Sequence, residues 1–260
     1  MIVFLRSLLF NIAFFGWSTI CTFAFLPRLF GTVEDMARAL ILWGRGIDWL
    51  LAHICRITVE IRGREYIPTE PALVVAKHQS AWETISLHAL LDKPAFVVKK
   101  ELLSIPLAGL IVRGSGAIAV DRSAGSRALK AMLREAREAV RAGRPVVIFP
   151  EGTRRPVGAP PAYQPGVAAL YAQLNLPAVP VALNSGLFWA RRSFIKRPGR
   201  IIVEFLPPIA PGLDRRAFLA EIEARIETAT EALIAETLDR RKGGGDRPQT
   251  PAASPGESRG

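Results

Sequence analysis

One histidine and one carboxylate have the types and spacing needed for acid–base chemistry. His78 follows the apolar run ALVVAK, and Glu83 lies five positions later, at the start of the next predicted helix. An imidazole that accepts a proton needs a partner on its second ring nitrogen, which holds the tautomer and stabilises the imidazolium. The spacing therefore predicts a general base, His78, assisted by Glu83, without a serine nucleophile.

Glu83 also has a purely structural interpretation. The sequence Ser80-Ala81-Trp82-Glu83 matches a capping box, in which Glu83 at N3 accepts a hydrogen bond from the Ser80 N–H. The sequence leaves both interpretations open. The other two histidines, His53 and His88, fall within predicted helices and are expected to be interfacial or packed side chains.

Charged residues follow three further predicted strands. The run Phe149–Arg155 (FPEGTRR) combines exposed turn N–H groups with guanidinium donors, which suit a phosphate. Gly116–Arg122 ends in an Asp-Arg pair, and Lys99 and Lys100 follow PAFVV. Each cluster alone is also consistent with a solvated turn or a weak surface ion pair. Their recurrence beside His78 predicts a site for a phosphorylated substrate.

Alternating β-rich and helical segments must position these residues. The pattern predicts an α/β fold with a mixed, largely parallel sheet covered by helices. Helical spacing of apolar residues predicts a crossover helix over Ser126–Arg141 and a long helix over Leu213–Leu238. The predicted strands are Ile57–Ile61, Ala72–Ala76, Ala95–Val98, Ala117–Val120, Val146–Phe149, Val179–Leu183 and Ile201–Phe205.

The N-terminal segment has the composition of a membrane anchor. Ser7–Leu26 contains no charged residue and would form a helix of roughly 28 Å, just long enough to span a bilayer. Val33–Ile54 is amphipathic, so a hairpin of two helices lying in the interface is an alternative. A secretory signal is disfavoured, because Phe23, Phe25 and Leu26 supply no small-residue cleavage site.

The arginines around this segment predict its orientation. Only Arg6 precedes the apolar run, whereas Arg28, Arg38, Arg45 and Arg56 follow it. The positive-inside bias therefore places the rest of the chain in the cytoplasm, on the inner membrane. We expect membrane-anchoring helices over residues 1–56, a catalytic domain over 57–240 and a disordered tail over 241–260.

Composition narrows the class of partner. The 260-residue chain has 34 Lys and Arg against 23 Asp and Glu, a net charge of +11, which favours nucleic acid or anionic lipid and phosphorylated substrates. Only two cysteines, Cys21 and Cys55, are present, so neither a disulfide framework nor a C-x-x-C metal pair is expected.

These residues resemble the glycerolipid acyltransferase family of the 1-acylglycerol-3-phosphate acyltransferase type. His78 to Glu83 is similar to the family's first block, although that block usually has Asp at the acid and Asn where this chain has Lys77. Three further blocks match in order: Lys100-Glu101-Leu102 with Ile105-Pro106 and Gly116 to Arg122, then Phe149 to Arg154, then Val179 to Val181.

The resemblance implies an enzyme that transfers a fatty-acyl chain from acyl-CoA or acyl-carrier protein to the sn-2 hydroxyl of 1-acylglycerol-3-phosphate. The product is phosphatidic acid, made at an anionic membrane surface in phospholipid biosynthesis. His78 would be the base and Glu83 its partner, with no metal, cofactor or acyl-enzyme. The phosphate would be held by Lys100, Arg122 and Arg154, and the acceptor site shaped by Glu151, Gly152 and Thr153.

Other functions compete with this one. Another lysolipid, such as a lyso-ornithine lipid, or glycerol 3-phosphate could be the acceptor. A lipid serine hydrolase would need a G-x-S-x-G elbow, but Ser115 has Arg113 and Ala117 where that motif requires glycines. A nucleic-acid binder is disfavoured by the membrane anchor and by the lack of a recognised binding motif.

Overall fold

Short β-branched runs form a seven-stranded sheet. The computed structural model describes residues 1–242, apart from the side chain of Arg122. The strands are β1 (Ile57–Arg62), β2 (Leu73–Ala76), β3 (Ala95–Lys99), β4 (Ile118–Val120), β5 (Val146–Ile148), β6 (Ala178–Leu183) and β7 (Gly199–Phe205). Their order in the sheet is β1-β7-β6-β2-β5-β3-β4, and only β6 and β7 pair antiparallel. This confirms the predicted mixed, largely parallel sheet, with every strand within two residues of its expected bounds.

Seven α-helices accompany the strands among the described residues. The crossover helix has its predicted bounds, whereas the last helix begins and ends later than predicted. Asp214 accepts hydrogen bonds from the N–H groups of Arg216 and Ala217, which sets its start. Arg241 and Lys242 extend it into the predicted tail, whose remainder lies outside the described residues. The helices are α1 (Ile2–Phe25), α2 (Val33–Leu50), α3 (Trp82–Leu90), α4 (Ala108–Gly114), α5 (Ser126–Arg141), α6 (Pro165–Leu174) and α7 (Arg215–Lys242).

The two faces of the sheet bury different helices. In β2, Val74 and Ala76 pack with α1, α2 and α3, whereas Leu73 and Val75 pack with α5, α6 and α7. All four side chains are fully buried, as expected for a central strand covered on both sides. The N-terminal helices and the C-terminal helices therefore occupy opposite layers.

The apolar helix α1 packs along the catalytic domain. At one end, the Ser7 hydroxyl accepts a hydrogen bond from the backbone N–H of Lys196 at 2.9 Å. Farther along, Phe10 is fully buried in the main core, and the Trp17 indole donates to the Trp43 carbonyl at 3.1 Å. At the other end, Phe25 packs in a cluster with residues of α2 and α4.

The opposite face of α1 is apolar and exposed. Ile12, Phe15, Ile20 and Phe23 each leave more than half of their surface uncovered. Among the described residues, Ile2–Phe30 is the one helical segment long and apolar enough to cross a membrane. Only 17% of its most apolar 18-residue stretch is buried. An apolar surface of this extent is typical of contact with lipid.

A buried carboxylate joins α2 to α3. Asp48 accepts hydrogen bonds from the Trp82 indole and the Ser86 hydroxyl, both at 2.8 Å. Burial raises the pKa of Asp48, and the two donors oppose that shift. Because Glu83 lies between these two donors on α3, the N-terminal helices help to fix the position of the predicted catalytic acid.

Candidate active site

The parallel strands bring the candidate residues to one edge of the sheet. β6, β2, β5, β3 and β4 run in the same direction, so their carboxyl ends meet at that edge. His78 follows β2, and Phe149–Arg155 follows β5. Lys100 and Arg122 follow the outer strands β3 and β4. The fold thus places every predicted site residue in a segment that follows one of these strands at this edge of the sheet.

His78 and Glu83 form a hydrogen-bonded pair. His78 Nδ1 lies 3.0 Å from Glu83 Oε1, and the His78 ring stacks on Phe149 with the centroids 4.0 Å apart. A carboxylate can only accept, so the proton resides on Nδ1 and Nε2 carries the free lone pair. The Glu83 side chain is fully buried, whereas His78 remains 13% exposed. The pair can therefore accept a proton from a bound hydroxyl group.

Glu83 is held by three further donors. Its Oε1 accepts hydrogen bonds from the N–H groups of Gln79 at 2.5 Å and Ser80 at 2.6 Å, and its Oε2 accepts from the Ser185 hydroxyl at 2.9 Å. With four donors on one carboxylate, its orientation is tightly fixed.

The predicted capping box is not formed as such. Helix α3 begins at Trp82, so Glu83 occupies N2 rather than N3, and Ala81 at the N-cap has no side-chain hydrogen bond. Ser80 Oγ accepts from the Trp82 N–H at 3.1 Å instead. The expected bond from the Ser80 N–H to Glu83 is nevertheless present, so one oxygen serves both the helix start and His78.

Ser185 is a site residue that no motif revealed. It lies 102 positions from Glu83 in the sequence, directly beyond β6. Only its place after β6 could have predicted this role, because β6 ends at the same edge of the sheet as β2, the strand before His78. A polar residue after a buried parallel strand carries the same implication as the charged clusters after the other strands.

A buried ion-pair network surrounds Lys77, the residue before His78. Lys77 Nζ lies 3.0 Å from Glu151 Oε1 and 2.7 Å from Glu227 Oε1, and the Tyr163 hydroxyl donates to Glu227 at 2.9 Å. Lys77 is 3% exposed and the Glu151 side chain is fully buried. Burial raises the pKa of Glu151 against the lowering effect of Lys77. The network ties β2, the turn after β5 and helix α7 together.

The turn after β5 is fastened from several sides. The Gly152 N–H donates to the Phe149 carbonyl at 2.9 Å, and Gly152 has φ +64°, a conformation that favours glycine. The Arg155 N–H donates to the His78 carbonyl at 2.8 Å. Glu151 points inward to Lys77, whereas Thr153 and Arg154 remain partly exposed. The turn can thus present Arg154 beside His78.

An exposed ion pair lies at the ends of the outer strands β3 and β4. Lys100 Nζ lies 3.1 Å from Asp121 Oδ2, with side-chain exposures of 64% and 37%. Hydrogen bonds from Ser123 and from Lys100 lower the pKa of Asp121. No hydrogen bond or ion pair among the described residues joins Lys100 to the His78–Glu83 pair. An exposed pair of this kind adds little stability, which leaves Lys100 available to a ligand.

Comparison with known proteins identifies the family of the chain. The model of the acyltransferase family matches residues 58–184, which include the strand ends described above. The chain is 38% identical over 197 residues to the 1-acyl-sn-glycerol-3-phosphate acyltransferase of Pseudomonas aeruginosa, covering 75% of each chain. It is 31% identical to the alpha enzyme of that name from Mus musculus, covering 61% of this chain and 57% of the mouse protein.

A solved structure shares the fold. The 1-acyl-sn-glycerophosphate (LPA) acyltransferase of Thermotoga maritima superposes with a TM-score of 0.74 at 23% identity, covering 88% of this chain and 96% of that one.

Proposed function

Because the chain belongs to the family of 1-acylglycerol-3-phosphate acyltransferases, we propose that it transfers a fatty-acyl chain from a thioester donor to the sn-2 hydroxyl of 1-acylglycerol-3-phosphate. The hydrogen-bonded His78–Glu83 pair carries this proposal, since the pair follows β2 at the edge of the sheet where the phosphate-binding candidates also lie. Acyl-CoA and acyl-carrier protein both supply such a thioester.

The proposed reaction uses the side chains of this chain as base and orienting group. His78 Nε2 takes the proton of the acceptor hydroxyl as its oxygen attacks the thioester carbonyl. Glu83 balances the charge of the imidazolium that results. The tetrahedral intermediate then expels the thiolate, which takes the proton from His78, leaving the new ester and a free thiol.

A panel of acceptors tests the substrate assignment. Membranes containing the protein are supplied with labelled acyl-CoA or acyl-carrier protein and with 1-acylglycerol-3-phosphate, lyso-ornithine lipid or glycerol 3-phosphate. We expect phosphatidic acid as the main product by mass. Preferential acylation of another acceptor would reject the assignment. Hydrolysis without acyl transfer would revive the serine hydrolase, although the Ser115 hydroxyl is engaged with the Val112 carbonyl at 2.7 Å.

Arg154→Ala is expected to raise the KM for the phosphorylated acceptor on the order of tenfold or more, with a much smaller fall in kcat. Arg154 lies in the turn that is bonded to His78, and a charge-assisted hydrogen bond to phosphate contributes about 1.5–3 kcal/mol. Binding that is equal in the ground and transition states changes KM rather than kcat.

The control for this measurement is Arg141→Ala. Arg141 is an exposed arginine in the last turn of α5, at the end of the helix away from the strand ends, and its removal makes the same change in net charge. Steady-state kinetics with both substrates varied should show an unchanged KM in the control. An unchanged KM in the Arg154 variant would remove Arg154 from the phosphate site.

We also propose that α1 lies in the interface of the inner membrane, with the catalytic domain facing the cytoplasm. The helix contacts the domain from Ser7 to Phe25, which favours the interfacial alternative over an independent span. The Cys55 thiol lies 3.9 Å from the Arg6 carbonyl, so the start of α1 lies beside the start of the domain. The exposed apolar face then meets lipid.

Replacing Ile12 and Phe15 with aspartate should release much of the protein from membranes and reduce turnover of bilayer-presented acceptor. The two side chains are 63% and 66% exposed, and each buried apolar side chain contributes roughly 1.5–3 kcal/mol. This test is cleaner than deletion of residues 1–31, which would also remove Phe10 from the core.

Flotation with vesicles measures the membrane-bound fraction. Leu213→Asp is the control, because Leu213 is 41% exposed and its N–H bonds to Tyr171, in the opposite layer. Equal flotation of the aspartate variant and wild type would contradict the interfacial placement.

A further inference from the structure

A second basic site lies on the other side of His78. A cleft of about 390 Å³ opens beyond β6, next to Gln79. In the strand order, His78 follows β2, with β6 on one side and β5, β3 and β4 on the other. Most of the cleft wall follows β6, so the cleft and the Lys100 region lie toward opposite ends of this edge. Pro156 and Val157, at the end of the turn after β5, complete the wall, whose other residues include Gln79, Gly186, Leu187, Arg191, Arg197 and Arg241.

The cleft has the chemistry of an anion site. Three arginines line it and no carboxylate does. Among residues 1–242, no carboxylate lies within ion-pair distance of Arg191, Arg197 or Arg241. Guanidinium groups pair with phosphate in a forked geometry, so three of them without a counter-charge favour a phosphate ligand.

Contacts with Phe188 hold the Arg241 side chain and the Arg197 backbone in place. The Arg241 guanidinium lies 4.9 Å from the centroid of the Phe188 ring, and the Arg197 N–H donates to the Phe188 carbonyl at 2.8 Å. Phe188 itself is buried in the main core. The cleft is thus anchored to the interior of the domain, although its arginines reach solvent.

Hydrogen bonds join the cleft to the catalytic pair. The Gly186 N–H in the cleft wall donates to the Gln79 side-chain carbonyl at 3.1 Å. Its neighbour Ser185 donates to Glu83, and Gln79 itself donates from its backbone N–H to the same carboxylate. Because Gln79 lines the cleft and directly follows His78 in the sequence, a ligand in the cleft contacts the neighbour of the proposed base.

We propose that this cleft binds the phosphate of the phosphopantetheine arm of the acyl donor. The inference rests on the proposed function, in which two phosphate-bearing substrates must meet at His78. The acceptor phosphate has Lys100 and Arg122 as candidates on the β3–β4 side and Arg154 on the turn after β5, which leaves the arginines on the β6 side for the donor. Leu187 and Val157 in the lining suit the apolar part of the arm. The arm is common to acyl-CoA and acyl-carrier protein.

The double variant Arg197→Gln, Arg241→Gln tests the proposal in the full-length membrane enzyme. We expect the KM for the donor to rise on the order of tenfold or more with acyl-CoA, acyl-carrier protein and acyl-phosphopantetheine alike, while the KM for the acceptor changes little. The matched control is Arg134→Gln, Arg137→Gln, which removes two exposed arginines of α5. A rise in the acceptor KM, or a rise with acyl-CoA alone, would overturn the assignment.

A binding measurement separates this proposal from the proposed function. 4′-Phosphopantetheine should bind the wild type more tightly than pantetheine by calorimetry, and the double variant should lose that preference. Equal binding of the two probes by the wild type would overturn the cleft assignment even if acyl transfer is observed. A retained preference together with weaker flotation on anionic vesicles would instead identify the arginines as lipid headgroup contacts, and would overturn it too. If the wild type prefers the phosphorylated probe yet makes no phosphatidic acid, only the acceptor assignment fails.

Discussion

His78→Ala is expected to lower kcat/KM for acyl transfer by about 10² to 10⁴, the usual contribution of a positioned general base. The variant removes the imidazole whose Nε2 is proposed to take the acceptor proton while Glu83 holds Nδ1 at 3.0 Å. Activity is measured in membranes with equal amounts of each protein. Loss of the stacking contact with Phe149 should leave a small cavity and a folded protein.

His53→Ala serves as the control for His78→Ala. His53 is exposed in the helical turn after α2, where its ring stacks on Trp49 and its Nδ1 bonds to the Trp49 carbonyl, so its removal should leave turnover near that of the wild type. His88 is unsuitable, because it is half-buried against Phe96 and desolvation lowers its pKa to about 4. If the folded His78 variant turns over at a near-normal rate, another group must be the base.

Glu83→Gln is expected to lower the rate by on the order of 10² to 10⁴ with little loss of stability, by analogy with the acid of a serine-protease triad. The amide oxygen can still accept from the N–H groups of Gln79 and Ser80, so the start of α3 should persist. Ser185 can rotate to accept from the new NH₂ group. The imidazolium of His78, however, loses the charge that balances it.

The kinetics and melting temperatures of two companion variants sharpen this measurement. Glu83→Asp keeps the charge and has the family's usual residue, so it should retain much more activity than Glu83→Gln. Ser185→Ala removes only the donor to Oε2, and should lower the rate far less than Glu83→Gln, which removes the charge. A Gln variant with more than about a third of the wild-type rate, well above the range that the triad analogy allows, would return Glu83 to a purely structural role.

The sequence predicted the elements better than their mutual contacts. Buried β-branched runs with turn residues between them identify strands locally, so all seven strands were found. The pairing of Glu227 with Lys77 spans 150 positions and leaves no local signal. Lys77 was visible only as a departure from the family's asparagine. A buried lysine requires a counter-charge, but the sequence does not say which of many carboxylates supplies it.

The packing of α1 was also beyond prediction. An uninterrupted apolar run predicts contact with lipid on all sides, yet one face of this helix contacts protein. Ser7 and Asn11 mark that face, because both bond to the chain near Lys196. Polar residues within such a run are the only local signal of a docked helix.

Docking α1 on the core couples the bilayer to the folding equilibrium. Phe10 belongs to the same buried cluster as Trp82 of α3, so undocking the helix opens the core as well as the anchor. If α1 lies in the interface as proposed, lipid that binds the docked helix more tightly than the undocked one shifts unfolding by mass action, by at most RT ln(1 + [L]/Kd), about 2.7 kcal/mol at a hundredfold excess over Kd. The membrane would then act as a stabilising ligand of the native state, and detergents that favour the undocked helix would weaken the core around Phe10.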